Sequence, residues 1–254
     1  MIAPMRIAIV GLGRMGSVAA ATANAAGHEV TLRVDPNAEG ADAPSFLPEH
    51  AERCDQVIEF STADAVVDNA RSYAAAGVPA VVGTTGWNDR LSEVKAIVSA
   101  GGSGYLYAAN CSIGMHVFMR VVARAASLFD ALPAYDAAVY EHHHRRKADS
   151  PSGTALAVAD AVLGASSRKQ RVATERLDRP IDEDELHVAS IRGGEEPGTH
   201  TVLFDSREDT VELVHRARGR EALAVGALRL AEWLQGRAGF FTIEHFLADL
   251  LPEA

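Results

Sequence analysis

The chain has 254 residues, of which 48% are hydrophobic, and a formal net charge of −10. This apolar content supports a folded core in one large or two smaller domains and excludes a disordered chain. The acidic balance argues against nucleic acid as a partner, because neutralising phosphates requires many cations on one surface. No run reaches the roughly 18 apolar residues of a membrane span, and the N-terminal residues enter a strand pattern without a charged leader. We therefore expect a cytoplasmic protein with no membrane partner.

The cysteines and histidines do not form a recognisable metal or disulfide pattern. Cys54 and Cys111 lie far apart and lack the paired spacing of a metal site or a disulfide framework. No H-E-x-x-H or Cys/His motif gathers the ten histidines. The sequence therefore predicts reduced thiols and no metal.

Strand and helix patterns alternate through the first part of the chain. Strands are predicted over residues 5–10, 28–34, 55–60, 78–83 and 104–110. Helices are predicted over residues 14–26, from an N-cap at Ser61 to about Ala76, and from Asn88 or Asp89 onward. This alternation is typical of a Rossmann-type, doubly wound parallel sheet in an α/β fold.

The pattern changes after Asn110. A helix is predicted over residues 113–132, followed by strands over 135–143, 186–192, 199–205 and 210–217 and a polar surface segment over 165–185. Strands without intervening helices indicate a second α+β domain with a mixed or antiparallel sheet. A helical pattern returns at residues 220–234, and we expect the C-terminal part to pack onto the first domain. The predicted domains are residues 1–110 with 220–254, and residues 111–219.

The motif GLGRMG, residues 11–16, follows a predicted strand and opens a predicted helix. In a dinucleotide-binding loop, Gly11 allows the tight turn, Gly13 leaves room for the pyrophosphate and Gly16 allows close helix packing. The helix N-terminus then offers amides to the phosphates. The alternative is a plain tight turn of an α/β fold.

Asp35 lies at the end of the second predicted strand, where an acid usually binds the adenosine ribose hydroxyls. The alternative is that Asp35 and Pro36 only begin a turn. An acid here repels a ribose phosphate, which favours NADH over NADPH. Arg14 and Arg33 would offset this repulsion, so the cofactor preference stays open.

The stretch EHHHRRKADSPSGT, residues 141–154, concentrates positive charge in an acidic chain. Strand alternation places His142 and His144 on one face and His143 on the other. The segment PSGT precedes a helix pattern and forms a helix entrance with exposed amides and hydroxyls, which suits a carboxylate. Together with Lys147, it predicts a site for a small polyanion. The alternative, a solvated charged face, is the interpretation we prefer for Arg145 and Arg146.

The same stretch carries the most specific motif of the chain, E-x-H-H-x-x-K-x-D-x-P-S-G-T. Its fixed positions are Glu141, His143, His144, Lys147, Asp149, Pro151, Ser152, Gly153 and Thr154. Further blocks occur in the order GRMG (13–16), EFS (59–61), GTTGW (83–87), AANCSIG (108–114) and RGGEEPGTHTVLF (192–204). On these blocks, the chain resembles the 4-hydroxy-tetrahydrodipicolinate reductase (dihydrodipicolinate reductase) family over nearly its whole length.

The resemblance implies a homotetrameric enzyme that reduces a small cyclic dicarboxylate with NADH or NADPH in lysine and diaminopimelate biosynthesis. It implies that His143 is the proton donor and that Lys147 assists it and binds substrate. The implied substrate contacts are His144, Ser152, Gly153, Thr154 and Thr85. The implied cofactor contacts are Gly11, Gly13, Arg14, Met15, Gly16, Asp35, Phe60, Gly83, Thr84, Thr85, Ala108, Ala109, Asn110 and Cys111.

Two positions depart from the family pattern. Cys111 stands where an aromatic residue is expected beside the nicotinamide, which replaces ring stacking by a smaller polarizable contact. Pro36 stands where members that accept both cofactors tend to have arginine, which strengthens the preference for NADH. Two alternatives stay open, namely another amino- or imino-acid dehydrogenase of the same architecture and a non-catalytic NADH-binding sensor.

Overall fold

The computed structural model describes residues 3–251 and divides into two compact units. One unit contains the chain up to Ser112 and from Arg220 onward, and the other is Ile113–Gly219. Residues 1–2 and 252–254, which the sequence analysis assigns to the first domain, lie outside the described residues. Within the described range, no helix is both long and apolar enough to cross a membrane.

The first unit is built on a six-stranded parallel sheet. In chain order its strands are β1 (Arg6–Val10), β2 (Glu29–Val34), β3 (Gln56–Glu59), β4 (Ala80–Val82), β5 (Gly104–Tyr107) and β11 (Gly239–Thr242). They lie side by side in the order β11-β5-β4-β3-β1-β2. The short central strands β3 and β4 are buried on both faces, as expected for a parallel sheet covered by helices.

Helices cover both faces of this sheet. They are α1 (Arg14–Ala25), α2 (Val66–Ala76), α3 (Leu91–Gly101), α6 (Glu221–Leu234) and α7 (Ile243–Leu250). Helices α1 and α6 pack against each other and against the sheet, while α2 packs against α3. The predicted Rossmann-type sheet is therefore confirmed, with β11 as an additional edge strand that the sequence did not predict.

The predicted N-cap at Ser61 is wrong. The α-helix begins at Val66, after a short 3₁₀ turn over Ala63–Ala65. The Ser61 hydroxyl instead donates to the buried carboxylate of Glu59. At its other end the helix stops at Gly77, which adopts the left-handed conformation with φ of +67°.

The order of the strands creates a switch point between β1 and β3. The chain passes from β1 to β2 on one side, then returns to β3 on the other side of β1. In open parallel sheets, ligands bind at the carboxyl ends of the strands at such a point. The segments that leave there begin at Gly11 after β1 and at Phe60 after β3.

The second unit contains a mixed five-stranded sheet with two helices. Its elements are α4 (Ile113–Asp130), β6 (Asp136–His143), α5 (Gly153–Leu163), β7 (Arg171–Ala173), β8 (Glu185–Arg192), β9 (Thr199–Asp205) and β10 (Thr210–Arg216). The strand order is β10-β9-β6-β8-β7, with β6, β8 and β7 parallel and β9 and β10 antiparallel. The predicted mixed sheet is confirmed, whereas β7 lies within the segment predicted as a surface excursion.

Strand register fixes the core of the second unit. Val139 of β6 pairs with Val188 of β8 and Val202 of β9, and these buried side chains pack with α4 and α5. Two residues further along β6, Glu141 points to the same face because side chains alternate along a strand. A carboxylate is thereby placed at the edge of an apolar core.

Candidate active site

The glycine loop at the switch point has the geometry expected of a dinucleotide site. Gly11 has φ of +85°, and a Cβ there would overlap the carbonyl oxygen of Phe60. A Cβ on Gly16 would overlap the carbonyl oxygen of Gly11, whereas open space surrounds Gly13. Helix α1 begins at Arg14 without a side-chain cap, so its first amides are available to an anion.

Asp35 binds both the glycine loop and its own turn. Its Oδ2 accepts the Leu12 amide at 2.8 Å, and its Oδ1 accepts the amides of Asn37 and Ala38 at 2.8 and 2.9 Å. These backbone donors lower the pKa of Asp35, so it is ionised at neutral pH. Because each carboxylate oxygen accepts about two hydrogen bonds, Oδ2 keeps room for one ribose hydroxyl.

The ends of β3 and β4 meet beside this loop. The Phe60 ring packs so closely on Gly83 that a Cβ there would overlap it. The Thr84 hydroxyl accepts the Ser61 amide at 2.8 Å and is buried, while Thr85 is exposed. The structure therefore brings Phe60, Gly83, Thr84 and Thr85 together, but Thr84 turns its side chain inward.

The segment after β5 places Ala109 at the surface and Cys111 in the interior. Ala108 is buried, and the Asn110 side chain accepts the Ser112 amide at 2.8 Å. Cys111 is 1% exposed, and burial raises the pKa of its thiol to about 12. The thiol is therefore protonated at neutral pH, and it lies 3.6 Å from the carbonyl oxygen of Ala108.

A buried carboxylate organises the candidate site of the second unit. Glu141 is fully buried, and its Oε1 accepts Ser190 Oγ at 2.9 Å and Arg192 Nη2 at 2.7 Å. Ser152 donates its amide and its hydroxyl to the two carboxylate oxygens at 2.8 and 2.5 Å. Burial raises the pKa of Glu141, but the hydrogen bonds from Ser152, Arg192 and Ser190 outweigh burial and bring it to about 2. Glu141 is therefore ionised at neutral pH.

Two histidines adjoin Glu141. Nδ1 of His143 lies 2.8 Å from Oε2 of Glu141, an ion-pair distance at which the N–H does not point directly at the oxygen. Nε2 of His200 lies 3.6 Å from the same oxygen, and the two imidazole centroids are 5.2 Å apart. Burial lowers the pKa of His143, the charge of Glu141 opposes this effect, and Lys147 and Arg192 lower the pKa further.

The charge balance around Glu141, His143 and His200 disfavours metal binding. Their ligand atoms lie within 4.8 Å of one another, which is close enough to share an ion. However, the guanidinium of Arg192 already neutralises Glu141 at 2.7 Å. A cation would have to displace or approach this fixed positive charge.

The predicted helix entrance is present at the start of α5. Ser152 is the N-cap, and its hydroxyl accepts the Ala155 amide at 3.0 Å. Because Ser152 also donates to Glu141, its polar groups are fully engaged by protein. Gly153 is exposed and Thr154 is half-buried. The Gly153 amide already interacts with the Asp149 carboxylate and helps to lower its pKa, so an external carboxylate at this N-terminus would have to share or replace that contact.

The basic residues that follow His143 contact the segment 193–198 or a carboxylate of their own loop. The His144 amide donates to Glu196 O at 2.8 Å, and Arg146 forms an exposed pair with Glu195. The half-buried Lys147 forms an ion pair with the exposed Asp149 at 2.9 Å. The structure therefore brings His143, His144 and Lys147 into one region but engages Lys147 with a carboxylate of its own loop.

Sequence reasoning gave no role to Ser190, Arg192 or His200. The register of the sheet places them beside Glu141 and His143. Glu141 pairs with Ser190 on β8 and with His200 on β9, and His143 pairs with Arg192 on β8. The available signal was a carboxylate on the buried face of β6, because Glu141 lies two residues after the core residue Val139 on the same face. The register that joins the three strands could not be seen in the sequence.

A glycine loop at the switch point of a parallel sheet and a separate unit with a buried histidine pair define an oxidoreductase with its own dinucleotide-binding domain. The family model for the N-terminus of dihydrodipicolinate reductase matches residues 5–111. The model for the C-terminus of dihydrodipicolinate reductase matches residues 114–247. The chain therefore belongs to the dihydrodipicolinate reductase family, whose members are reductases that use a nicotinamide cofactor.

Individual relatives agree with this assignment. The chain is 34% identical to the 4-hydroxy-tetrahydrodipicolinate reductase of Christiangramia forsetii, over 97% of this chain and 99% of the relative. It is 36% identical to the enzyme of the same name from Archaeoglobus fulgidus, over 96% and 100% of the two chains. A solved dihydrodipicolinate reductase from Paenisporosarcina, bound to dipicolinate, shares the fold with a TM-score of 0.76 and 23% identity over 94% of this chain and 98% of that one.

Proposed function

We propose that this protein catalyses the NAD(P)H-dependent reduction of 4-hydroxy-tetrahydrodipicolinate to tetrahydrodipicolinate in lysine and diaminopimelate biosynthesis. Membership of the reductase family over both units supports this function. The observation that carries it is the double role of Glu141, which contacts His143 and also binds the N-cap residue Ser152. The buried carboxylate of Glu141 thereby holds the proposed proton donor and the proposed carboxylate-binding helix entrance close to each other.

The chain's part in the reaction is to bind a dianion and supply a proton. The amides of Gly153 and Thr154 hold one carboxylate, and His144, Lys147 and Thr85 are the further proposed substrate contacts. Burial and the nearby cations lower the pKa of His143 in the free protein, and a bound dianion would raise it again. His143 is thus best charged when substrate is present, and it protonates the site where negative charge collects. The bound nicotinamide cofactor supplies the hydride.

The residues of the first unit suit such a cofactor. The open space at Gly13 and the free amides of α1 fit a pyrophosphate, and Oδ2 of Asp35 can accept a ribose hydroxyl. The fixed negative charge of Asp35, followed by Pro36, favours NADH over NADPH. We propose that no metal takes part, because Arg192 neutralises Glu141 in the second unit.

The function is tested by following NADH absorbance while an upstream synthase condenses pyruvate with aspartate semialdehyde. Rapid NADH oxidation is expected in this mixture and not with amino or keto acids. Oxidation with amino or keto acids instead would indicate another dehydrogenase, and no oxidation in any mixture would favour a sensor.

In the same assay, His143→Ala is expected to lower kcat by about 10²- to 10⁴-fold, because it removes the general acid. Binding of NADH, measured by fluorescence titration, should change little. A fully active variant would remove His143 from this role.

We further propose a cytoplasmic homotetramer. Family membership supports it, and sedimentation velocity of the full chain measures it directly. A species of about 27 kDa, the mass of one chain, would contradict the tetramer.

A further inference from the structure

We propose that Glu141 is a positioning residue, which holds His143 with Nδ1 toward the buried carboxylate and leaves Nε2 as the nitrogen that donates the proton. This inference rests on the proposed function and assigns a role to a residue that does not itself meet the substrate. The evidence is the set of contacts around the two ring nitrogens of His143, Nδ1 and Nε2.

On the Nδ1 side, the charge of Glu141 is held in place by several donors. Ser190, Arg192 and both polar groups of Ser152 fix the carboxylate, and these contacts come from β8 and from the start of α5. The carboxylate therefore cannot rotate away without breaking bonds to two other elements. Nδ1 lies 2.8 Å from Oε2 although its N–H does not point directly at that oxygen. The nearby negative charge therefore favours the proton of the neutral ring on Nδ1 through electrostatic attraction.

On the Nε2 side, the chain provides a glycine. A Cβ on Gly198 would lie 2.8 Å from Nε2 of His143. Gly198 cannot move aside easily, because its carbonyl oxygen accepts the Ala217 amide at 2.8 Å and its amide donates to Glu196 Oε1 at 3.2 Å. Any other residue here would place a carbon against Nε2, so the glycine leaves space beside this nitrogen.

Glu141 is one of several ionisable groups that face His143. The others are Arg192 on β8, His200 on β9, and Lys147 and Asp149 after β6. The two cations lower the pKa of His143, as does burial, and the two carboxylates raise it. Removing the charge of Glu141 therefore shifts the balance toward the neutral imidazole.

The test is Glu141→Gln, which keeps the shape of the side chain and removes its charge. Histidine labelled with ¹⁵N reports the titration and the tautomer of each imidazole, and His143→Asn identifies the His143 signal by its loss. In the variant, the His143 titration should move to lower pH and the preference for the Nδ1 proton should weaken. The alkaline limb of kcat/KM should move to lower pH in parallel, with kcat reduced between about 10- and 100-fold, less than for His143→Ala.

The matched control is Glu185→Gln. Glu185 is a buried carboxylate of the same sheet, bound by Arg171 and Arg179, at the end of β8 opposite Arg192. This variant loses a comparable charge without touching His143. Its His143 titration, tautomer and kcat/KM profile are expected to match those of the wild type.

An unchanged His143 titration and tautomer in Glu141→Gln would overturn the proposal. If that variant does not fold, Glu141→Asp keeps the charge and moves it away by one methylene, and it should shift the His143 titration in the same direction by a smaller amount. No shift in a folded Glu141→Asp would likewise refute the proposal. An inactive wild-type enzyme would overturn the proposed function, while the imidazole titration would still show whether Glu141 controls His143.

Discussion

His200 is a nearly fully buried imidazole beside the ionised Glu141. Burial, followed by the positive charge that His143 can carry, lowers the pKa of His200 from 6.5 to about 4. Between these pH values the unfolded chain binds a proton at this position and the folded chain does not. The free energy of unfolding therefore rises from pH 4 to 6.5, by up to about 1.4 kcal/mol per pH unit, and is then flat with respect to His200.

The measurement is urea unfolding of wild type and His200→Gln at several values between pH 4 and pH 7.5. The variant should lose part of the slope in this range, because a glutamine does not titrate. Equal slopes in the two proteins would contradict the lowered pKa of His200, because they would show that the folded and unfolded chains bind the same number of protons at this position.

Gly13 gives a residue-scale test of the cofactor site. Its φ of −65° suits alanine, and a Cβ there meets open space. Gly13→Ala should therefore fold with wild-type stability but bind NADH at least about tenfold more weakly, since the methyl group would occupy the pyrophosphate position. Fluorescence titration with NADH and thermal unfolding measure the two effects.

The comparison variant is Gly16→Ala, whose Cβ overlaps the carbonyl oxygen of Gly11 even in the free protein. It should lose both stability and NADH affinity. Wild-type NADH affinity in Gly13→Ala would contradict the assignment of this loop.

At the scale of elements, helix α6 contains a glycine that its environment requires. A Cβ on Gly226 would overlap the carbonyl oxygen of Cys111. Glycine to alanine inside a helix ordinarily stabilises by about 1 kcal/mol, but here the overlap should reverse the sign. Gly114→Ala in α4 is the matched control, because its nearest new neighbour would be His215 Nε2 at 3.9 Å. Urea unfolding should show a lower midpoint for Gly226→Ala only, and a raised midpoint would indicate that α6 and Cys111 are not in contact.

Most helices and strands could be predicted from the sequence, because burying one face of an element makes its apolar residues recur at a regular spacing. The strands of the first sheet contain short buried apolar runs, such as residues 7–10 in β1 and 80–82 in β4, and such runs could be recognised in the sequence. The strands that were missed lack this signal: β7 has three residues, and β11 is not separated from α7 by any turn residue. Ser61 was misassigned because a serine before a helical pattern suits an N-cap, while its true partner, Glu59, is two residues away on the preceding strand.

The candidate sites were predicted less completely than the elements. Local motifs suffice for a glycine loop and for the helix entrance at residues 151–154, since neighbouring residues determine both. The contacts of Glu141 with Ser190, Arg192 and His200 depend on how β6, β8 and β9 align. Strand alignment is set by tertiary packing. These pairings therefore could not be predicted from a single sequence.

At the scale of the whole molecule, the second unit is an insertion into the first. The chain leaves the parallel sheet after β5, forms the residues Ile113–Gly219, and returns to add α6, β11 and α7. The returning helix α6 packs on α1 and contacts β3, β4 and β5. The first unit therefore depends on segments from both ends of the chain, although its glycine loop and acidic residue lie within the first 35 residues.

This connectivity has a consequence for synthesis on the ribosome. Chains are made from the N-terminus at about 5–20 residues per second, and domains generally fold as they emerge. The inserted unit, which ends at Gly219, leaves the exit tunnel whole while the parallel sheet still lacks β11 and its covering helix α6. The nascent protein thus exposes an unfinished nucleotide-binding half until α6 and β11 have been made, and the inserted unit is the first that can fold to completion.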